Sequence, residues 1–249
     1  MALPGAAAGG GRPLRWPRVL LFGDSITQFS FQPGGWGAAL ADRLVRRCDV
    51  VNRGLSGYNS RWAALVLPRL LGDGACAPAA ATIFFGANDS ALPEENPKQH
   101  VPLAEYAANL AAMVRALQAA GVPAARVVLV TPPPLWEPAW EAECAAQGHR
   151  LNRRNSTVGE YARACVRVAR ACGTDVLDLW TLMQKDGEDF ATYLSDGLHL
   201  SPKGNAFLFS HLWPLIEKKV SALPLLLPYW KEVEETRPEL SLLGDGDHQ

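Results

Sequence analysis

The chain has 249 residues, of which 48% are hydrophobic and 20% charged, with a formal net charge of −1. This balance excludes a disordered or fibrous chain, and the length fits one α/β layer structure able to bury a substantial core. No basic field exists to gather polyanions, which argues against nucleic acid and in favour of small neutral partners.

Residues 1–17 are rich in Ala and Gly without the apolar run of a secretory signal, and are expected to be a flexible segment. No later stretch approaches the roughly 18 apolar residues of a membrane span, and no lipidation motif is present, so the expected location is the cytoplasm without a stable membrane anchor. The five cysteines (Cys48, Cys76, Cys144, Cys165, Cys172) are scattered, with no C-x-x-C pair and no zinc-type spacing. Reduced, buried thiols and no metal are expected, and nothing indicates a homo-oligomer.

In chain order, Arg18–Gly23 is an apolar run closing on glycine, which predicts a buried parallel strand with Ser25 just beyond its carboxyl end. Asp49–Arg53 and Thr82–Gly86 predict a second and a third strand. Leu103–Ala120 reads as a helix with Tyr106, Leu110, Met113, Val114 and Leu117 on one face, stopped by Gly121 and Pro123. Arg126–Thr131 predicts the fourth strand. One long helical stretch follows over 139–171, weakened at Gly148 and Gly159 and ended by Gly173. Asp175–Leu179 is a weaker fifth strand, and Pro202–Val220 a last helix that Pro214 is expected to kink. The predicted layout is one domain over 18–230 and an acidic, partly mobile tail over 231–249.

Strands alternating with helices imply right-handed crossovers and a parallel sheet covered on both faces, a three-layer α/β/α architecture. Ligands in such sheets sit beyond the carboxyl ends of the strands. That rule gathers Ser25, Gly54, Asn88 and the loop after Thr131 at one rim.

These are the parts an acyl-transfer site needs. A serine hydroxyl attacks an ester only with a base in hydrogen-bond reach and a third group that orients the base. Ser25 stands in Gly23-Asp24-Ser25, and Asp196-Gly197-Leu198-His199 puts a carboxylate three residues before an imidazole. The oxyanion formed on attack needs preorganised donors. The Ser25 N–H is one, the N–H of Gly54 a second, and the Asn88 side-chain amide a third. Each residue also has an ordinary reading: Ser25 as a helix cap, Gly54 and Asn88 as turn residues, Asp196 as a turn opener, and His199 as a packing residue. Asp24 and Asp89 are assigned loop-fixing roles as acceptors of backbone hydrogen bonds. His100, His149, His211 and His248 have no Asp-x-x-His context and are read as surface or packing residues.

Gly-Asp-Ser-Ile-Thr at 23–27, the glycine at 54, Gly-Ala-Asn-Asp at 86–89 and Asp-Gly-Leu-His at 196–199 resemble, in order, the four blocks of the SGNH (GDSL-like) hydrolase superfamily. Within it the chain looks most like the isoamyl acetate-hydrolysing esterases. Ile26 and Leu200 depart from the commonest spelling of the blocks. The resemblance implies a flavodoxin-like five-stranded parallel sheet, Ser25 as nucleophile and donor, Gly54 and Asn88 as further donors, His199 as base and Asp196 as its orienting partner, with no cofactor. Because no basic cluster adjoins the four blocks to hold a phosphate or carboxylate, small, neutral esters of short to medium acyl length are the expected substrates if tryptophans near the rim line the site. Trp36, Trp62 and Trp136 are candidate pocket walls, each with core packing as the competing role, and Arg53 and Arg61 are the cations to watch near the site. The same constellation also serves a thioesterase, lysophospholipase or deacetylase, and the fold alone a catalytically silent binding protein.

Overall fold

A computed structural model describes residues 14–71 and 76–243. Residues 1–13 of the predicted N-terminal segment, and the last six residues of the tail with His248, lie outside the described residues. The elements run β1 Arg18–Gly23, α1 Ser25–Gln28, α2 Trp36–Arg43, β2 Asp49–Gly54, α3 Ser60–Leu71, β3 Ala80–Phe84 and α4 Leu103–Ala119. They continue with β4 Val127–Val130, α5 Glu137–Ala146, α6 Asn155–Cys172, β5 Asp175–Leu177, α7 Leu179–Lys185, α8 Pro202–Val220 and a short α9 Glu239–Leu242.

The five strands form one all-parallel sheet in the order β2-β1-β3-β4-β5, the flavodoxin-like winding. Alternation along β1 builds both faces of the core. Val19 and Leu21 point into a cluster with Trp36 and Leu40 of α2, Met183 of α7, and Leu208 and Leu212 of α8. Leu20 and Phe22 point the other way, against Leu67 of α3, Tyr106 and Leu110 of α4, and Tyr161 of α6. Because helices cover both faces, the central strands carry no polar face, which is why they read as apolar runs. The register pairs Gly23 with Gly54 and with Phe84, so β1, β2 and β3 end level and their following loops share one rim.

Several boundaries differ from the sequence reading. The third strand is Ala80–Phe84, two residues earlier than Thr82–Gly86. Alanines have little intrinsic preference for strand, but Ala80 and Ala81 are fully buried beside β1, and pairing overrides propensity. The fourth strand is trimmed to Val127–Val130, with a 3₁₀ turn before it at Ala124–Arg126. The fifth stops at Leu177 because the Asp178 side chain accepts from the Thr181 N–H and caps α7. The stretch 139–171 is two helices rather than one, separated by residues 147–154. Of the cysteines, Cys48, Cys144 and Cys165 are buried free thiols, Cys172 is half-buried, and Cys76 is exposed, contrary to expectation. Among the described residues no helix is long and apolar enough to cross a membrane.

Candidate active site

The strand-to-helix turn after β1 sets the first residue. Asp24, not Ser25, caps α1: its Oδ1 accepts the Ile26 N–H at 3.0 Å. Ser25 is thereby the first helical residue, and its hydroxyl is left for a partner outside the turn. That partner is His199, whose Nε2 lies 2.9 Å from Ser25 Oγ across a separation of 174 residues.

Asp196 folds its own loop around the imidazole. Its Oδ1 accepts the backbone N–H groups of Leu198 at 2.9 Å and His199 at 2.7 Å, while Oδ2 lies 2.6 Å from His199 Nδ1. The loop is closed by Ser195 N–H donating to His199 O and by the Leu194–Leu200 bridge. Burial tends to raise the Asp196 carboxyl, but the hydrogen bonds from the His199 ring and from the two N–H groups outweigh it and hold it at about 2. A carboxylate held ionised at neutral pH on Nδ1 fixes the tautomer that presents Nε2 as an acceptor, and a hydroxyl at 2.9 Å is in reach of proton transfer.

Phe29 and Trp140 flank the imidazole edge-on, with ring centroids 6.2 and 6.4 Å away. Beside it opens a cleft of about 360 Å³ lined by Ile26, Phe29, Gln32, Pro33, Pro202 and Asn205 together with His199 and Asp196. Trp36 is no wall of this cleft: it is fully buried and donates its indole N–H to Ile26 O, bracing α1 from behind. Trp62 packs on Tyr58, and Trp136 donates its N–H to Gly197 O. Trp140 has no motif around it, and the sequence reading passed it over.

The loops after β2 and β3 meet through Asn88 and Tyr58 at the rim that also carries Ser25. Asn88 is buried, and its Nδ2 donates to Tyr58 O at 2.9 Å, which leaves the second N–H of the amide available. The Gly54 N–H is committed: it donates to Asn52 Oδ1 at 2.8 Å. Gly54 serves packing, since a Cβ there falls 1.9 Å from Gln28 N. Three residues on, Gly57 takes φ +79°, and its N–H has no acceptor among the described residues. The Ser25 N–H is also without one, as expected in the first turn of a helix. Neither watched arginine reaches into the cleft: Arg61 pairs bidentately with Glu105, and Arg53 donates to Asn52 O.

Below this rim lies a buried polar layer. Asp89 Oδ1 accepts the Ser60 N–H at 2.9 Å, as loop-fixing predicts. The second oxygens of Asp24 and Asp89 have no partner among the described residues. Burial, above all, raises Asp24 to about 7 and Asp89 to about 6. Arg153, from the break between α5 and α6, reaches into the same layer and was not among the sequence candidates.

Residues 21–207 match the GDSL-like Lipase/Acylhydrolase family. The chain belongs to this family. It is 71% identical over 250 residues to the isoamyl acetate-hydrolyzing esterase 1 homolog of Bos taurus, covering the whole of both chains. It is 72% identical over 244 residues to the isoamyl acetate-hydrolyzing esterase 1 homolog of Homo sapiens, covering 97% of this chain and 98% of the other. Among solved structures it resembles the lipase/acylhydrolase from Enterococcus faecalis with a TM-score of 0.63 at 23% identity, covering 85% of this chain and 100% of that one. As a member of the GDSL family the chain is an esterase/acylhydrolase, and the matched span contains Ser25, Asn88, Asp196 and His199.

Proposed function

We propose that the protein hydrolyses small, neutral carboxylic esters of short to medium acyl length, with Ser25 as nucleophile. The observation that carries this reading is the unbroken chain Ser25 Oγ, His199 Nε2, His199 Nδ1, Asp196 Oδ2, with links of 2.9 and 2.6 Å. As Ser25 attacks the carbonyl, His199 takes its proton, and Asp196 balances the charge that develops on the ring. The oxyanion is held by the Ser25 N–H and by the free N–H of the Asn88 amide. The loop after β2 supplies the third donor, and we assign it to the Gly57 N–H in place of Gly54, whose N–H is spent on Asn52. His199 then protonates the departing alcohol, and the acyl-serine is hydrolysed by a water that the same imidazole activates.

Substrate class follows from the walls. Apart from Asp196 and His199, the lining of the cleft carries no charge, and Arg61 is neutralised by Glu105. The cleft flanks the imidazole, the side on which the leaving oxygen collects its proton, so it receives the alcohol portion. The names of the two mammalian relatives point to an acetate ester of a branched apolar alcohol, in agreement with these neutral, partly apolar walls.

The test is turnover and labelling together. Ser25→Ala should lose on the order of 10³-fold or more in kcat on p-nitrophenyl acetate while keeping its unfolding temperature. A fluorophosphonate probe should label the parent protein at Ser25. Esterase activity retained by the variant overturns the assignment. In a panel of esters, anionic or long-chain substrates turned over faster than acetate and butyrate overturn the substrate class.

A further inference from the structure

Among the described residues Arg153 is the only buried arginine, 2% exposed, and every acceptor its guanidinium reaches is neutral. Nε donates to Ala87 O at 2.8 Å, Nη1 to Asn152 Oδ1 at 2.7 Å, and Nη2 to Asn88 Oδ1 at 3.0 Å and to Gln99 Oε1 at 2.7 Å. The guanidinium also lies over the Trp140 ring, 5.2 Å from its centroid, and Trp140 is the ring that stands edge-on to His199. Desolvating a cation without a carboxylate bonded to it is costly, and an apolar side chain of the same volume spares that cost. What the cation holds is therefore informative.

It holds the far ends of the oxyanion donors. Asn88 has two amide orientations of similar shape, and only one turns Nδ2 toward Tyr58 O and leaves its second N–H for the oxyanion assigned above. A charged donor on Oδ1 permits that orientation alone, because the flipped amide sets N–H against N–H. The same contact draws electron density toward Oδ1 and makes the remaining Nδ2–H a stronger donor. Through Gln99 the hold extends further: Gln99 Nε2 donates to Gly57 O at 3.0 Å, tying down the loop that carries the Gly57 N–H.

We propose that Arg153 is a positioning residue of the esterase site, locking the Asn88 amide through Oδ1 and the Gly57 loop through Gln99. This inference rests on the oxyanion reading given above. The test is a double-mutant cycle of Arg153→Lys and Asn88→Ala on p-nitrophenyl acetate, with kcat expressed per serine titrated by a fluorophosphonate so that folded sites alone are counted. A lysine keeps the charge but cannot reach all four acceptors.

Alone, Arg153→Lys should lower kcat by about 10- to 100-fold at nearly constant KM, somewhat less than removal of an oxyanion donor outright. In the Asn88→Ala background the same change should cost less than about threefold, because the residue it acts through is gone. Unchanged kcat in the single variant, or an equal loss in both backgrounds, overturns the proposal. If Arg153→Lys does not fold, Gln99→Leu probes the same linkage from the loop side. It should lower kcat severalfold at constant KM, and parental kcat there overturns the proposal. Failure of the fluorophosphonate to label Ser25 in the parent removes the underlying nucleophile assignment instead. Normal labelling with a null cycle removes Arg153 alone.

Discussion

At Gly54 an added Cβ meets main chain, 1.9 Å from Gln28 N and 2.3 Å from Gln28 Cα, and backbone cannot swing aside as a side-chain tip does. At Gly57 the nearest atom to an added Cβ is Gln99 Nε2, 3.6 Å away, so the cost there is only that of a left-handed φ, roughly 1–2 kcal/mol. The two positions are separable by experiment. Gly54→Ala is expected to give little folded protein, whereas Gly57→Ala should fold with a modestly lowered unfolding temperature and lose kcat as its loop shifts. Parental stability in Gly54→Ala, or full kcat in Gly57→Ala, contradicts this division of roles. Ser25, Asp196 and His199, which the structure joins by hydrogen bonds, were picked out as candidates in the sequence, as was Asn88, because each sits in a short block: Asp196 reaches its histidine within one turn. The sequence pointed to Gly54, the last residue of the second strand, and did not show that the Asn52 side chain folds back on the Gly54 N–H while the Gly57 N–H, three residues on, has no acceptor among the described residues. Arg153 and Trp140 were illegible for a stronger reason, as their partners come from other segments and no local pattern records the contact.

The α5–α6 break shows the same limit for elements. Helical periodicity runs almost unbroken from 139 to 171, and glycine positions alone offered two places to interrupt it. The chain uses the first: Gly148 takes φ +76°, while Gly159 stays helical and buried against Trp180. Asn155 fixes where α6 begins. Its Oδ1 accepts both Leu135 N–H and the Trp180 indole N–H at 3.0 Å, its Nδ2 donates to Gln184, and its own N–H donates to Glu137. One side chain thus ties the loop after β4, the start of α6 and α7 together, directly after the non-helical residues 147–154 that carry Arg153 inward. Asn155→Ala leaves two donors without an acceptor and should lower unfolding free energy by roughly 1–3 kcal/mol in urea. Asn155→Asp keeps the acceptor and should cost less. Equal losses in the two variants contradict the acceptor role.

For the whole molecule, the sheet places two carboxyls near the rim that carries Ser25, each with one oxygen lacking a partner among the described residues, and this gives stability a pH dependence of defined sign. Burial raises Asp24 from 3.8 to about 7 and Asp89 from 3.8 to about 6. The folded protein therefore keeps protons that the unfolded chain has already released, and stability falls as pH rises from about 4 through those two values. Asp196 acts in the opposite direction at the acid end. Held at about 2 against an ordinary 3.8, it contributes stability that is complete above about pH 4 and is lost as pH falls through 2. Asp24→Asn isolates the larger of the two buried contributions, because an amide oxygen still accepts the Ile26 N–H but no longer titrates. The difference in unfolding temperature between variant and parent should move steadily in the variant's favour as pH is raised from about 4 and level off above about 7, the interval over which folded Asp24 holds a proton that the unfolded chain has released. Thermal unfolding followed by circular dichroism across that range measures it, and a difference that does not vary with pH shows that Asp24 is not the group being desolvated.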